Sequence, residues 1–284
     1  MAEHLDLYLF HLINGLSGHW FVDSVVNVEE NFLLVRGPLV LAIYTWLWFE
    51  GFGARRTAKR ETIVAMLLSS FLALVVARSL AHLLPFRSRP MYVSGIDFHA
   101  PSFHIVSNFE RWSSFPSDHA AMFFALALGI FFLWREMGAL LLAYVALCIC
   151  LPRIYLGVHY PSDIAVGALI GLASAWLFLV GKNNAVFQRW VIAPVLSLER
   201  KLPSLFYPLW FAFLFELAVM FGDVRFVARV MKLMFRYDPA KTSLFLCGMV
   251  LAVICLGILC RRRVQRERAA ATDMPSTPAD GDRD

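Results

Sequence analysis

Residues 153–163 read Arg153-Ile154-Tyr155-Leu156-Gly157-Val158-His159-Tyr160-Pro161-Ser162-Asp163, and the apolar run Ile164–Val180 follows without a break. A basic, an imidazole and a carboxylate side chain therefore stand directly before a stretch close to the roughly 20 apolar residues that a bilayer-spanning helix needs. Ionisable groups are costly at the edge of hydrocarbon, so a cluster of them marks a functional candidate. Pro161 and Ser162 suit the opening of a helix, where free N–H groups and partial positive charge attract anions. His159 and Asp163 are four apart, one turn if that turn is helical, which lets the carboxylate fix the imidazole tautomer.

Six further apolar stretches accompany this one: Phe32–Phe49, Glu61–Leu84, His119–Trp134, Gly138–Ile154, Leu205–Phe221 and Ser243–Cys260. The expected fold is all-α, a polytopic membrane helix bundle of about seven spans. Composition agrees, because only 17% of the 284 residues are charged and 59% are hydrophobic, whereas soluble domains carry roughly 25% charged residues. Residues 1–31 hold shorter apolar runs broken by Gly15 and Gly18, which suit amphipathic helices at the interface, with a shallow re-entrant hairpin as the alternative. The expected organisation is this interfacial segment over 1–31, a membrane core with the polar clusters over 32–180, a membrane extension over 181–260, and a basic, then disordered, cytoplasmic tail over 261–284.

The net charge of +5 is small and suits topology or lipid headgroup contact rather than nucleic-acid binding. Arg55, Arg56, Lys59 and Arg60 follow the first span, and Arg261, Arg262, Arg263, Arg266 and Arg268 follow the last. An even number of spans separates them, so both clusters face the cytoplasm and the loop Pro85–Asp118 and turn Tyr155–Asp163 face outward. Cys148, Cys150, Cys247, Cys255 and Cys260 lie in or beside apolar stretches without metal-ligand spacing, so no disulfide, bound metal or cofactor is expected. Glu3, Asp6 and Asn14 interrupt the pattern of a signal peptide. No residue pattern specifies an oligomeric state.

Three polar clusters share the outward face: His82 with Arg87 and Arg89-Pro90, then Pro116-Ser117-Asp118-His119, then Arg153 to Asp163. Three arginines and a serine can surround a phosphate with charge-assisted hydrogen bonds. Two histidines and an aspartate add a nucleophile, a general acid and an orienting carboxylate. Taken singly, Arg87 and Arg89 would be interfacial anchors, and Ser117 and Asp118 helix caps. Their coincidence on one face argues for catalysis. His4, His11, His19, His99 and His104 have no such company. Gly167-x-x-x-Gly171 with Ser174 suits close helix packing. Trp46, Trp48, Trp112, Trp134 and Trp176 suit the interface belt or packing.

The order Arg89-Pro90, Pro116-Ser117-x-His119, Arg153-x5-His159-x3-Asp163 resembles the three-part signature of the type-2 phosphatidic acid phosphatase superfamily. The resemblance covers roughly 61–180. That superfamily includes membrane lipid phosphatases, undecaprenyl pyrophosphate phosphatases, soluble acid phosphatases and vanadium haloperoxidases. It implies that His159 attacks phosphorus and forms a phosphohistidine, that Asp163 orients it, and that His119 protonates the leaving group and then activates water. It implies that Arg89, Arg153 and Ser117 bind the phosphoryl oxygens. Three positions depart from the family pattern: His82 stands where lysine is usual, Asp118 where glycine is usual, and Pro152 where serine is usual. His82 and Asp118 are accordingly candidate phosphate-site residues, with Arg78 or Arg87 as other sources of the lysine's charge.

The implied activity is hydrolysis of a lipid phosphate or pyrophosphate at the cell (inner) membrane, with undecaprenyl pyrophosphate the favoured substrate. Phosphatidic acid, phosphatidylglycerol phosphate and lipid A phosphates are alternatives, as is phosphotransfer to another lipid. A haloperoxidase would share the residues without this membrane embedding, and a non-catalytic lipid-binding or transport protein would not need His119, His159 and Asp163 intact. The orientation is checked by cysteine labelling in intact cells. A cysteine at Ser94 should react with an impermeant thiol reagent, and one at Ala58 only after permeabilisation.

Overall fold

In a computed structural model describing residues 2–103 and 112–272, every regular element is helical. His104 and the tail around Pro275 and Pro278 lie outside the described residues. The helices are α1 (Ala2–Asn14), α2 (Trp20–Asn31), α3 (Gly37–Phe49), α4 (Gly53–Leu83), α5 (Asp118–Leu133), α6 (Arg135–Tyr144), α7 (Leu151–Tyr155), α8 (Pro161–Gly181), α9 (Ala185–Phe187), α10 (Ala193–Lys201), α11 (Pro203–Ala218), α12 (Gly222–Tyr237) and α13 (Pro239–Thr272). They divide into two compact units, Met1–Phe221 and Gly222–Asp284, so α9, α10 and α11 belong with the helices that carry the polar clusters.

Each of the seven apolar stretches lies in helix, with shifted limits. The first begins at Gly37 rather than Phe32, because a short 3-10 turn, Leu33–Val35, and an irregular Arg36 interrupt the chain there. The second starts earlier, at Gly53, and takes the Arg55–Arg60 cluster into its first turns. The fourth runs as one rod from Arg135 to Tyr155, with a π segment at Val145–Cys150 between α6 and α7. Among the described residues, α4, this rod and α8 are long and apolar enough to cross a membrane, and α3 and α5 are shorter apolar helices.

The core of the first unit forms where α4, α5 and α8 meet, with Tyr44 and Trp48 of α3 buried against them. Small residues set the spacing. A Cβ added at Gly171 would lie 2.2 Å from the Ala121 carbonyl oxygen, and one at Gly167 would lie 2.4 Å from that of Ser117. No L side chain fits at either distance, so the Gly167-x-x-x-Gly171 pair permits backbone contact between α5 and α8. Gly129, on the other side of α5, similarly admits Tyr44 Oη and Met66.

The N-terminal helices bury several polar residues. Asp6 and Asn14 of α1 and Asp23 and Glu29 of α2 are buried, while Tyr8, Leu12, Trp20, Phe21 and Val25 are exposed. These polar groups point inward and these apolar ones outward, while Phe10 and Val26 are also buried. That arrangement is stable where the surroundings are hydrocarbon and the protein supplies the hydrogen-bond partners. The Asn14 amide donates to the carbonyls of Tyr155 and His99, both at 2.9 Å, and accepts from His99 N–H at 2.8 Å. Asp23 accepts from the Tyr155 hydroxyl and, at 2.9 Å, from Ser102 N–H. Both helices are thereby fastened to the turn that carries Arg153 and His159.

Gly171→Val should lower stability by about 1–3 kcal/mol, the usual range for overpacking a filled contact. Thermal unfolding in detergent reads this directly, and an unchanged melting temperature would deny the α5–α8 contact its role.

Candidate active site

The Pro-Ser-Asp triplets open α5 and α8 in different registers. At α5, Ser117 is the N-cap and its hydroxyl oxygen accepts from Ala120 N–H at 3.4 Å. At α8, Tyr160 is the N-cap, Pro161 opens the helix, and the Asp163 carboxylate turns back to accept from Tyr160 N–H at 2.8 Å. Asp163 thus closes the carboxylate half of a capping box. Ser162 is left free to bond elsewhere. The two N-termini are joined directly, since Ser117 N–H donates to the Asp163 carbonyl at 3.0 Å.

Between Arg153 and α8 the chain turns sharply. Gly157 takes a φ of +67°, and a Cβ there would lie 2.7 Å from the Phe98 ring, which accounts for glycine at this point. The Arg153 carbonyl accepts from the N–H groups of both Val158 and His159, at 3.0 and 3.1 Å. Arg153 and His159 are therefore fixed to one another through backbone, and both side chains are buried.

His159 Nδ1 lies 2.7 Å from the carbonyl oxygen of Ser114, and 3.6 Å from Asp163 Oδ2. A carbonyl only accepts, so the Nδ1 proton is held there and the lone pair is placed on Nε2. The nearer orienting group is this carbonyl, which motif reading missed because a backbone oxygen has no residue signature. Asp163 is instead paired with Arg87, Nη1 to Oδ1 at 2.5 Å.

Arg87 extends the network outward. It donates to Ser162 Oγ at 2.8 Å and to Asp6 Oδ2 at 2.6 Å, and lies 3.9 Å from the centre of the Tyr160 ring. Asp6 also accepts from the Ser162 N–H and hydroxyl, at 2.8 and 2.5 Å. Burial lowers the Arg87 pKa, but Asp163 and Asp6 together hold it above the usual arginine value. The contact joins α1 to the opening of α8 across a large sequence separation.

His119 sits between opposite charges. Its Nδ1 faces Asp118 Oδ1 at 3.0 Å and its Nε2 faces Arg153 Nη2 at 3.2 Å. With an acceptor on one side and an obligate donor on the other, the ring is neutral, protonated on Nδ1, with its Nε2 lone pair toward Arg153. Asp118 Oδ2 is held by Arg78 Nε at 3.1 Å. Arg153 Nη1 reaches Glu30 Oε2 of α2 at 3.5 Å, and Arg36 pairs with Glu29 at 3.0 Å and Glu30 at 3.1 Å.

Arg89 is buried and donates to the Val158 carbonyl at 2.9 Å. Burial pushes its pKa below the usual value, opposed by Asp118 and Asp163 and aided by the like charge of Arg153. An anion would relieve both effects. His119, His159, Asp118, Asp163, Arg89, Arg153 and Ser117 are thus linked by direct contacts or by a shared backbone turn. His82 is exposed on the last turn of α4, its ring 5.5 Å from that of Trp112. The α4 cation that touches a site carboxylate is Arg78, one turn earlier.

Residues 60–187 match the PAP2 superfamily. YbjG of Escherichia coli (strain K12), provisionally named an undecaprenyl-diphosphatase, is 32% identical over 194 residues, covering 66% of this chain and 90% of its own. The undecaprenyl-diphosphatase BcrC of Bacillus subtilis (strain 168) is 29% identical, covering 61% of this chain and 82% of its own. The crystal structure of Aquifex aeolicus LpxE is 28% identical with a TM-score of 0.44, covering 62% of this chain and 95% of that one.

Arg87→Met should strand the buried Asp163 carboxylate and lower stability by about 1–3 kcal/mol. Asp6→Asn in the same background should add less than it does alone, with a coupling of about 0.5–3 kcal/mol in a double-mutant cycle of unfolding in detergent. Strict additivity would dissolve the link between α1 and α8.

Proposed function

This chain belongs to the PAP2 superfamily, and from that premise we propose that it hydrolyses a long-chain lipid pyrophosphate, undecaprenyl pyrophosphate being favoured, through a phosphohistidine at His159. It is a membrane lipid phosphatase of that superfamily. The observation that carries the finer reading is the tautomer of His159: with Nδ1 held by the Ser114 carbonyl at 2.7 Å, Nε2 carries the lone pair that attacks phosphorus.

The terminal phosphoryl group binds between Arg89, Arg153 and the N–H groups at the start of α5, where Ser117 caps the helix. His159 Nε2 forms the bond to phosphorus as the bond to the bridging oxygen breaks, in line. The bridging oxygen leaves on the lipid monophosphate. Phosphate binding draws Arg153 away from His119 Nε2 and places negative charge beside that ring, which then takes up a proton and delivers it to the leaving oxygen. In the second half-reaction neutral His119 takes a proton from water, the water oxygen bonds to phosphorus, and the P–N bond breaks. His159 returns to its Nδ1-protonated form and inorganic phosphate departs. Asp163 and Asp118 act as fixed negative charges beneath the two imidazoles, and the arginines offset the charge of the transferring group.

The favoured substrate rests on the two undecaprenyl-diphosphatase relatives and on the outward orientation read from the arginine clusters, which would place the site where that lipid is released. His82 has the weakest geometric claim to a phosphate contact. His82→Ala at wild-type activity across pH would assign the charge of the family lysine to Arg78 or Arg87.

His159→Ala should abolish phosphate release by the purified protein from undecaprenyl pyrophosphate while it stays folded in detergent. Asp163→Asn should reduce release severely. Vanadate, which mimics pentacoordinate phosphorus, should inhibit, and EDTA should not. Substantial turnover by His159→Ala would sink the nucleophile, and loss in EDTA restored by a divalent ion would replace this mechanism with a metal-assisted one.

A further inference from the structure

A cavity of about 630 Å³ lies between α1–α2 and the Arg135–Tyr155 rod, outside the polar network. On the rod its lining follows one helical face, Tyr144, Leu147 with Cys148, Leu151 with Pro152, and Tyr155. The opposing wall includes Leu16, Trp20, Phe21, Val25 and Val28, several of them exposed. We propose that this groove holds the hydrocarbon chain of the lipid whose phosphate is cleaved, an inference that rests on the lipid pyrophosphatase reading above.

Three observations point to that occupant. The hydroxyl groups of the lining are already engaged, and its carboxylate is ion-paired. The Tyr144 hydroxyl donates to the Val35 carbonyl, the Tyr155 hydroxyl to Asp23, and Ser24 Oγ to the Trp20 carbonyl at 2.7 Å, while Glu29 pairs with Arg36 at 3.0 Å. What remains facing the space is hydrocarbon, with the Cys148 thiol, itself a small apolar-like group. Length is the second. From Tyr144 to Tyr155 the rod rises about 16 Å, close to one leaflet's share of a hydrocarbon core roughly 30 Å thick. Continuity with the chemistry is the third. Pro152 and Tyr155 of the lining flank Arg153, and Glu29 of the opposite wall neighbours Glu30, which lies 3.5 Å from the Arg153 guanidinium. A lipid with its phosphate at Arg153 has this groove beside its first carbons.

The groove also gives the N-terminal helices a task. Their buried polar residues tie α1 and α2 to the catalytic turn, and their apolar residues form one wall of the channel. One wall of the groove that would set substrate choice by chain length then lies in α1 and α2, outside the matched segment 60–187.

The test compares a long-chain polyprenyl pyrophosphate with dimethylallyl pyrophosphate, which has almost no tail. Leu147→Trp and, on the facing wall, Val25→Trp should each raise KM for the long chain by about tenfold, the equivalent of losing roughly two buried methylene contacts. kcat/KM for the short substrate should stay within about twofold. Leu169→Trp, on the exposed side of α8, is the control. Equal effects on both substrates, or none on either, would overturn the proposal. A polyprenyl monophosphate with a terminal diazirine supplies a readout independent of turnover. It should label the segments around Val25 and Leu147, with competition by unlabelled polyprenyl phosphate and not by phosphatidylcholine. Equal competition by phosphatidylcholine would make the groove a site for bulk lipid and end the idea. A wild-type protein that hydrolyses neither substrate would instead defeat the catalytic reading, and labelling would still decide the groove.

Discussion

The site depends on how closely the backbones of α5 and α8 approach at their N-terminal ends. Gly167 and Gly171 remove the side chains that would hold them apart, and the Ser117 N–H closes the gap onto the Asp163 carbonyl. Two helix N-termini thereby open toward one place, and their partial positive charges add. His119 stands on one of those openings and His159 immediately before the other. In the proposed in-line transfer the two imidazoles would act on opposite sides of one phosphorus, so neither position would serve alone.

Bringing that much positive charge together without an anion is unfavourable, and the chain answers with carboxylates. Asp163 holds Arg87, Asp118 holds Arg78, and Glu30 stands near Arg153. These pairs are buried to different degrees, so their electrostatic worth differs. Arg153 is the most deeply buried and its carboxylate partner the most distant. In the proposed reaction it would be the cation that exchanges its partner for phosphate, and its movement would also free the His119 lone pair. Binding and proton transfer would then be coupled through a single guanidinium.

Much of this was legible in the chain. The spacing Arg153-x5-His159-x3-Asp163 works because Gly157 alone can make the left-handed turn against Phe98, and the apolar runs follow from the cost of burying backbone in hydrocarbon. What escaped reading are contacts with no local signature. The Ser114 carbonyl is a backbone atom. Asp6 meets Ser162 across 156 positions, and in sequence Asp6, Asn14 and Asp23 look only like polar interruptions of an apolar segment. Their recurrence on two short helices was the available signal, since each needed a buried partner. The same logic explains why Asp6, Asn14 and Asp23 face the rest of the chain.

The π segment at Val145–Cys150 sits just before Arg153. Wider turns of this kind accommodate an added residue without ending the helix. Each residue of an α-helix advances the azimuth by about 100°. Tyr144 before the wider turn and Leu151, Pro152 and Tyr155 after it line the same groove, so the rod keeps one groove-facing side across the bulge. Arg153, in the α-helical turn that follows, is one step round from Pro152 and so reaches His119 while its neighbour faces the groove. Adjacent residues of one turn thus address different surroundings, hydrocarbon at Pro152 and the polar network at Arg153, and a residue gained or lost between the bulge and Arg153 would exchange the two bearings at once.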